Sequence, residues 1–268
     1  MKVISKIIVV TGAGSGIGRE LSLLLLSKGA KVAGIDLNAA GLAETARLAA
    51  ERASAFEPIV ANIAERRTVE RLPERVCARF GAVDGVINNA GIIQPFVRVK
   101  DLDYSTIERV LNVNLLGTLY VVKTFLPHLL QRPQAHIVNL SSLGGFIPVP
   151  GQTVYCAAKA GVKLLSEGLA SELIDTSVRV TVVFPGAIAT NITANSGVTA
   201  PTVRSEPKGS MKPLPPSRAA EIIVRAIERD AHYVFVGRDS AIMNIFQRLN
   251  PRFAALMIAN KMKGMLPN

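Results

Sequence analysis

The fold is decided by residues 3–29, which read VISKIIVVTGAGSGIGRELSLLLLSKG. Residues 3–10 are mostly apolar and β-branched, and this composition predicts a strand. Residues 11–18 carry four glycines and predict a tight turn, and the leucine-rich stretch that ends near Lys28 predicts a helix. A strand, a glycine turn and a helix in this order form the first part of a βαβ unit.

A turn of this kind is suited to hold phosphate groups. Glycines let the backbone approach a pyrophosphate, whose negative charge then faces the amide end of the following helix. The alternative is a tight turn with no ligand. The next predicted strand, residues 31–35, ends at Asp36. A carboxylate at that position can accept hydrogen bonds from an adenosine ribose and would repel a 2′-phosphate, so we expect NAD rather than NADP. The alternative for Asp36 is an ordinary turn residue.

Strands and helices continue to alternate along the chain. The further predicted strands are 56–60, 84–87, 136–140, 178–184 and 233–236, and the longer predicted helices include 65–80 and 103–131. This alternation predicts an α/β fold, a Rossmann-type doubly wound parallel sheet with helices on both faces. We expect a single domain over residues 1–239, with a substrate loop at 191–216 and a basic amphipathic extension at 240–268.

Composition narrows the classes of protein to which the chain can belong. The chain has 268 residues, of which 49% are hydrophobic and 19% charged, enough for one large buried core. Cys77 and Cys156 lie far apart and form no disulfide or metal motif, so we expect a reducing, cytoplasmic setting and no metal site. No apolar run approaches the roughly 20 residues that a membrane span needs. The net charge is +11, but no basic run interleaved with aromatic residues predicts nucleic-acid binding.

Residues 155–159, YCAAK, lie in a predicted helix. Tyr155 and Lys159 are four residues apart and therefore leave the same face of that helix. A neighbouring ammonium favours a phenolate, so the pair could serve as a general base near neutral pH. The alternative is an exposed pair without chemistry.

Two further polar residues, Ser142 and Asn114, must be considered together with this pair. Ser142 follows the predicted strand 136–140, where it could act in chemistry or simply cap a turn. Asn114 lies in an otherwise apolar helical segment, where its side chain must find partners if it is buried, and it could simply brace the helix.

With these residues in view, the chain resembles the short-chain dehydrogenase/reductase family over about residues 3–237. Residues 11–18 are similar to the family's Thr-Gly-x-x-x-Gly-x-Gly turn, and residues 88–91 to its Asn-Asn-Ala-Gly motif. Ser142, Tyr155 and Lys159 have the spacing of the family's catalytic residues, and Asn114 matches the asparagine that completes the tetrad.

The resemblance implies contacts to a dinucleotide along the whole crevice. The implied residues are Gly12, Ser15, Gly16, Ile17, Gly18, Asp36, Leu37, Asn62, Ile63, Asn89, Ala90, Gly91, Tyr155, Lys159, Pro185, Gly186, Ile188 and Thr190. Asn62 departs from the family, which usually has an aspartate beside the adenine.

The resemblance also implies a mechanism. Tyr155 would take or give the hydroxyl proton, and Ser142 would bind the reacting oxygen. Lys159 would lower the pKa of the tyrosine and bind the nicotinamide ribose, and Asn114 would hold a water that links Lys159 to solvent. The chain is thus expected to oxidise an alcohol or reduce a carbonyl group. The alternative is a non-catalytic protein of the same fold that senses dinucleotide or binds a membrane or partner.

The expected substrate pocket is mostly apolar. Its predicted lining consists of Gln94, Leu143, Phe146, Ile147, Pro148 and Val149, with the loop after Thr190 as a lid. Such a lining favours a lipophilic substrate, such as a steroid, a long-chain alcohol or a cyclic ketone.

The extension at 240–268 is basic and apolar. It contains Arg248, Arg252, Lys261 and Lys263 without any acidic residue. This pattern favours a peripheral contact with an acidic membrane or a cover over the pocket mouth, and packing on the same domain or on another subunit is the alternative. Family members are mostly dimers or tetramers, so the resemblance implies a homo-oligomer built on helices near 103–131 and 155–173.

Overall fold

A seven-stranded parallel sheet forms the centre of the computed structural model, which describes residues 1–199 and 212–262. The strands are β1 (Ile7–Thr11), β2 (Lys31–Asp36), β3 (Phe56–Val60), β4 (Gly85–Asn88), β5 (Ala135–Leu140), β6 (Val178–Pro185) and β7 (Tyr233–Val236). They lie in the order β3-β2-β1-β4-β5-β6-β7. The order reverses between β1 and β4, so the predicted doubly wound sheet is confirmed.

Helices cover both faces of this sheet. They are α1 (Gly16–Ser27), α2 (Ala39–Ala49), α3 (Arg66–Glu70), α4 (Leu72–Phe80), α5 (Tyr104–Leu111), α6 (Gly117–Leu130), α7 (Thr153–Glu172), α8 (Ile192–Asn195), α9 (Pro216–Glu228), α10 (Arg238–Leu249) and α11 (Pro251–Lys261). Ile8 and Val10 of β1 face the core under α1 and α9, whereas Ile7 and Val9 face the core under α6. Because β1 is buried on both faces, its sequence is an unbroken apolar run.

Two element boundaries differ from the sequence-based predictions. The first strand begins at Ile7 and not at Val3, because Ser5 adopts a left-handed conformation with φ 60°. The helix predicted over 65–80 is divided into α3 and α4 at Arg71, and Pro73 lies in the first turn of α4. Proline is accommodated in a first helical turn because its missing N–H has no partner there.

The helical segment 104–130 corrects the expectation that the chain has no long apolar segment. A π-helical turn, Asn112–Leu116, joins α5 to α6, and the 27-residue segment is long and apolar enough to cross a membrane by length and composition. However, Val121, Phe125 and Leu129 are buried against the sheet. Packing in the core therefore accounts for these buried residues, which belong to the 39% of the apolar window that is buried.

The last two helices pack on the same domain, next to the end of β6. The Ser240 hydroxyl donates a hydrogen bond of 2.8 Å to the carbonyl of Phe184. Met243 of α10 and Ala254 of α11 form a small core with Ile147, which belongs to the predicted pocket. The predicted extension therefore lies against the segment that we expected to line the substrate pocket.

Asp84 generates a testable prediction about the sheet. Its side chain is 3% exposed and binds the N–H of Ile7 (3.0 Å) and the Nε of Arg132 (2.9 Å). We expect Asp84→Ala to lower the free energy of unfolding by about 3 kcal/mol in denaturant titrations, because a buried N–H and a cation lose their partner. Asp101→Ala, which removes an exposed ion pair with Lys100, should cost less than about 1 kcal/mol. Equal losses in the two variants would contradict the prediction.

Candidate active site

The glycine turn after β1 is built around very close backbone contacts. Gly12 has φ 69°, and a Cβ atom there would lie 2.7 Å from Nδ2 of Asn89. A Cβ atom on Gly18 would lie 2.0 Å from the carbonyl oxygen of Gly12. Any side chain at either position would thus force the turn apart.

Asn89 fixes this turn to the end of β4. Its Nδ2 donates to the carbonyl of Thr11 at 2.9 Å, and the Thr11 hydroxyl accepts hydrogen bonds from the N–H groups of Asn89 and Ala90, each at 3.0 Å. Asn89 and Ala90 were predicted to touch the cofactor, and the structure places both of them in the wall of the cradle. Thr11 was not among the predicted site residues, although it is the first residue of the glycine motif.

The N-terminus of α1 points into the cradle. Ser15 is the N-cap residue, but its side chain makes no capping hydrogen bond to the helix. Its hydroxyl instead accepts a hydrogen bond of 2.9 Å from Asn195 of α8. The free N–H groups of the first turn, around Gly16 and Ile17, carry the positive end of the helix dipole, and this is the environment that a pyrophosphate requires.

Asp36 stands at the end of β2 beside the cradle. One carboxylate oxygen accepts from the N–H of Gly14 at 2.8 Å and the other from the N–H of Asn38 at 2.9 Å. Leu37 is largely exposed next to it. The carboxylate is therefore held in place at the edge of the crevice, where an adenosine ribose would lie.

Asn62 and Ile63 follow β3 at the same edge. The side chain of Asn62 accepts from the N–H of Ala64 at 3.0 Å and donates to Glu65 at 3.1 Å. Ile63 is buried and lies close to Gly117 of α6. Asn62 thus stabilises its own turn, and its donor bond to Glu65 is one that an ionised aspartate of the same length could not make.

Ser142 and Tyr155 meet at the end of β5. The Ser142 hydroxyl accepts from the N–H of Gly144 at 3.1 Å, and the Tyr155 ring lies beside the same glycine. Burial raises the pKa of Tyr155 to about 12, although the neighbouring Ser142 hydroxyl lowers it in part. At neutral pH the phenol in this structure therefore keeps its proton.

Lys159 is buried one helical turn from Tyr155. Burial lowers the pKa of Lys159 to about 8. Its Nζ donates to the carbonyl of Leu140 at 2.8 Å and lies 5.9 Å from the centroid of the tyrosine ring. Burial is the main cause of the raised pKa of Tyr155, and the expectation that Lys159 lowers this pKa remains a prediction.

Asn114 lies in the π-helical turn and meets Lys159 near Gly91. Its amide donates to the carbonyls of Ile92 (2.8 Å) and Val110 (3.0 Å) and accepts from the N–H of Ile92 at 3.1 Å. A Cβ atom on Gly91 would lie 2.7 Å from Oδ1 of Asn114 and 3.3 Å from Nζ of Lys159. The residue therefore braces the helix, one of the two roles considered, and also stands at the tetrad position.

The turn after β6 is held by a residue that sequence reasoning missed. Asp239, at the start of α10, accepts a hydrogen bond of 2.7 Å from the N–H of Ala187, and a Cβ atom on Gly186 would lie 2.2 Å from its carboxylate. Thr190 of the same turn lies close to Gly16. The sequence offers little indication of this contact, because an aspartate shortly after Gly237 resembles an ordinary residue of a first helical turn.

Two other residues of this turn, Pro185 and Ile188, were predicted to touch the cofactor. Ile188 forms a parallel bridge with Leu214, and Pro185 is the last residue of β6. Part of the predicted lid, residues 200–211, lies outside the described residues. The described part of the lid includes Ser196, whose hydroxyl accepts from the N–H of Ile93 at 3.0 Å.

Gln94 braces the catalytic helix, where we expected a side chain that lines the substrate pocket. It is fully buried, and its Oε1 accepts from the N–H groups of Val154 (2.9 Å) and Tyr155 (3.0 Å) in the first turn of α7. Its Nε2 donates to the carbonyl of Gly151 at 3.0 Å. Gln94 thus serves as a helix cap that fixes the backbone of Tyr155.

The other predicted pocket residues lie between the site and the last two helices. Leu143 and Phe146 pack against the core around Met243, and Phe146 contacts Phe184 edge to face with ring centroids 5.4 Å apart. Val149 lines a cleft of about 370 Å³ that α11 borders on its other side. The fold therefore places these apolar side chains between the residues that follow β5 and the last two helices.

The chain belongs to the short-chain dehydrogenase/reductase family. The family's sequence model, described as short chain dehydrogenase, matches residues 6–200. The fold and the site define an oxidoreductase of this family, whose fold binds a nicotinamide dinucleotide.

Several known proteins are similar along nearly the whole chain. An oxidoreductase named SadH from Mycobacterium tuberculosis is 38% identical over 250 residues, which cover 91% of this chain and 90% of SadH. The 3-oxoacyl-acyl-carrier-protein reductase FabG of Thermotoga maritima is 33% identical over 240 residues, 87% of this chain and 95% of FabG. A short chain dehydrogenase/reductase from Burkholderia phymatum, solved with NAD, superimposes with a TM-score of 0.85 at 23% identity, covering 94% of this chain and 96% of its own. Solved structures of this fold also include a complex with NADP.

Lys159 generates a prediction about pH. Because its pKa falls from 10.5 to about 8 on folding, the unfolded chain binds more protons between these values, so the free energy of unfolding should rise with pH between about 8 and 10. We expect Lys159→Met to abolish this rise and to be more stable than the wild type at pH 7. Lys163→Met, one turn further along α7, should keep the rise. Denaturant titrations across this pH range measure the effect, and a wild type whose stability is flat between pH 8 and 10 would refute it.

Proposed function

We propose that the protein is an NAD-dependent oxidoreductase that interconverts an alcohol and a carbonyl group on a lipophilic substrate. The observation that carries this proposal is the closeness of Ser142 and Tyr155 at the carboxyl end of β5, on the same edge of the sheet as the glycine cradle: a Cβ atom on Gly144 would lie 3.6 Å from the Ser142 hydroxyl and 3.5 Å from the Tyr155 ring. Two hydroxyl groups at this place can bind one substrate oxygen and exchange a proton with it.

Tyr155 acts as the acid and base in the proposed mechanism. When a carbonyl is reduced, the phenol of Tyr155 gives a proton to the developing alkoxide. The Ser142 hydroxyl donates a hydrogen bond to the same oxygen. The raised pKa of Tyr155, about 12, keeps the phenol protonated and ready for this step. When an alcohol is oxidised, the phenolate takes the hydroxyl proton. Bound NAD would supply the hydride acceptor, and NADH the donor.

Lys159 and Asn114 support the proton transfer. A charged Lys159 ammonium favours the phenolate form of Tyr155 and can bind ribose hydroxyls. Asn114 braces the π-helical turn beside Lys159, and its position suits a water that links Lys159 to solvent. In this way the proton that leaves Tyr155 has a path out of a buried site.

The proposed choice of NAD rests on Asp36. Its carboxylate is fixed by the N–H groups of Gly14 and Asn38, so it cannot turn away from a ligand without losing both hydrogen bonds. A fixed carboxylate accepts hydrogen bonds from ribose hydroxyls and repels a 2′-phosphate.

The proposed substrate is lipophilic, such as a steroid, a long-chain or a cyclic secondary alcohol or ketone. Support comes from the apolar side chains of Leu143, Phe146 and Val149, which lie between the residues that follow β5 and the last two helices. The relative FabG is named for the reduction of 3-oxoacyl chains, which are also largely apolar.

The proposed assembly is a homodimer or homotetramer in the cytoplasm, with peripheral membrane contact through the C-terminal helices. Leu119 of α6 and Leu164 of α7 are large apolar side chains that this single chain leaves exposed. Pairing of these helices between copies would bury both.

The proposal predicts turnover that depends on Tyr155. We expect NADH absorbance assays with apolar secondary alcohols and ketones to show activity in the wild type and a kcat lower by roughly 10²–10⁴-fold in Tyr155→Phe, since no other proton donor replaces the phenol. Tyr120→Phe is the control and should retain full activity. If NADH binds but no substrate in a broad panel is turned over, the non-catalytic, dinucleotide-sensing alternative is favoured.

The proposal also predicts cofactor preference. The double variant Asp36→Ser/Leu37→Arg removes the carboxylate and adds a cation for a 2′-phosphate, so kcat/KM should shift from NAD toward NADP by at least about a hundredfold in ratio. Asp103→Ser, at the start of α5, should leave the ratio unchanged. A wild type that already prefers NADP would overturn the assignment.

A further inference from the structure

Helix α10 presents a continuous apolar stripe to solvent. Ile242, Ile245, Phe246 and Leu249 are all exposed, and their spacing of i, i+3, i+4 and i+7 places them along one face of the helix. The opposite face supplies the buried contacts, with Ser240 and Met243. A helix of a folded domain ordinarily turns its apolar stripe inward, so this exposed stripe requires an explanation.

The stripe continues onto α11. The ring of Phe246 contacts the ring of Phe253, with centroids 6.2 Å apart, and Leu256 is exposed one turn beyond Phe253. The two helices together therefore form one apolar surface of six side chains, which we call the C-terminal surface: Ile242, Ile245, Phe246, Leu249, Phe253 and Leu256.

The charged side chains that follow Asp239 on α10 and α11 are positive. Arg248 and Arg252 flank it, and the sequence from 240 to 268 contains no aspartate or glutamate. The side chain of Lys261 and the whole of Lys263 lie outside the described residues. A second copy of this chain on the same surface would bring arginines against arginines, whereas an anionic bilayer complements both the charge and the apolar stripe.

We propose that the C-terminal surface docks on anionic lipid membranes, with α10 and α11 lying in the headgroup region. The apolar stripe enters the boundary between headgroups and acyl chains, and the arginines bind lipid phosphates.

The same surface gives a route for substrate, an extension that rests on the proposed function. Leu256 and Arg252 also line the cleft of about 370 Å³, whose other wall includes Val149 and Cys156. Cys156 lies against Gly144, which is also in contact with Tyr155. In this extension, the cleft leads from the C-terminal surface to Cys156, the neighbour of Tyr155 in α7, and a lipophilic molecule that leaves the bilayer would follow it.

Vesicle binding of the full chain tests the docking. The probes are phosphatidylcholine vesicles with and without phosphatidylglycerol, and the readout is cosedimentation. The test variant is Ile245→Ser/Leu249→Ser, whose side chains are 57% and 79% exposed. The matched control is Val60→Ser/Ile174→Ser, with exposures of 54% and 71% far from the C-terminal surface.

We expect the wild type and the control to bind vesicles that contain phosphatidylglycerol, more weakly at high salt, and the test variant to bind at least about tenfold more weakly. Arg248→Gln/Arg252→Gln should lose the preference for anionic vesicles. Absence of wild-type binding, or equal binding by the test variant, would overturn the proposal. So would a test variant that changes the oligomeric state in analytical ultracentrifugation, because the surface would then be an interface between copies. Since no reaction is measured, an inactive enzyme that still binds vesicles would refute the proposed function alone.

Discussion

The structure depends on the contact between Gly18 and the carbonyl of Gly12, where a single added carbon would lie 2.0 Å from the oxygen. This contact lets α1 begin directly behind β1, so that its N–H groups face the crevice between β1 and β4. Asn89 fixes this turn, because its side chain donates a hydrogen bond to the carbonyl of Thr11 and packs against Gly12 and Gly18. The positive end of a helix is thereby fixed at the point where the strand order reverses, and the rest of the site is arranged around it.

The parallel sheet brings distant residues to this point. Asp36, Asn89, Ser142 and Gly186 follow four different strands, and each lies at a carboxyl end because all seven strands run in one direction. For this reason the sequence was informative about fold and site: apolar runs located the strands, and the polar residue after each run located the crevice. The prediction that Tyr155 and Lys159 share one face required only the geometry of a single helix, because the two residues are four apart.

Other features could not be predicted from the sequence, for physical reasons that differ among them. The pKa of Tyr155 depends on how deeply the ring is buried, and a motif contains no information about depth. The side chain of Gln94 can reach either a pocket or the backbone of α7, and only the packing of residues 151–155 selects the second. The mean hydropathy of segment 104–130 is high enough for a membrane span, but a search for unbroken apolar runs does not find it, because the polar residues of its π-helical turn interrupt the run.

Asp239 joins two parts of the molecule that the sequence separates by about fifty residues. Its carboxylate belongs to the first turn of α10, yet it holds the N–H of Ala187 in the turn after β6. Together with the hydrogen bond from Ser240 to the carbonyl of Phe184 and the packing of Met243 against Ile147, this hydrogen bond ties the last helices to the end of β6 and to the turn that follows. A displacement of α10 would therefore move one end of the crevice as well.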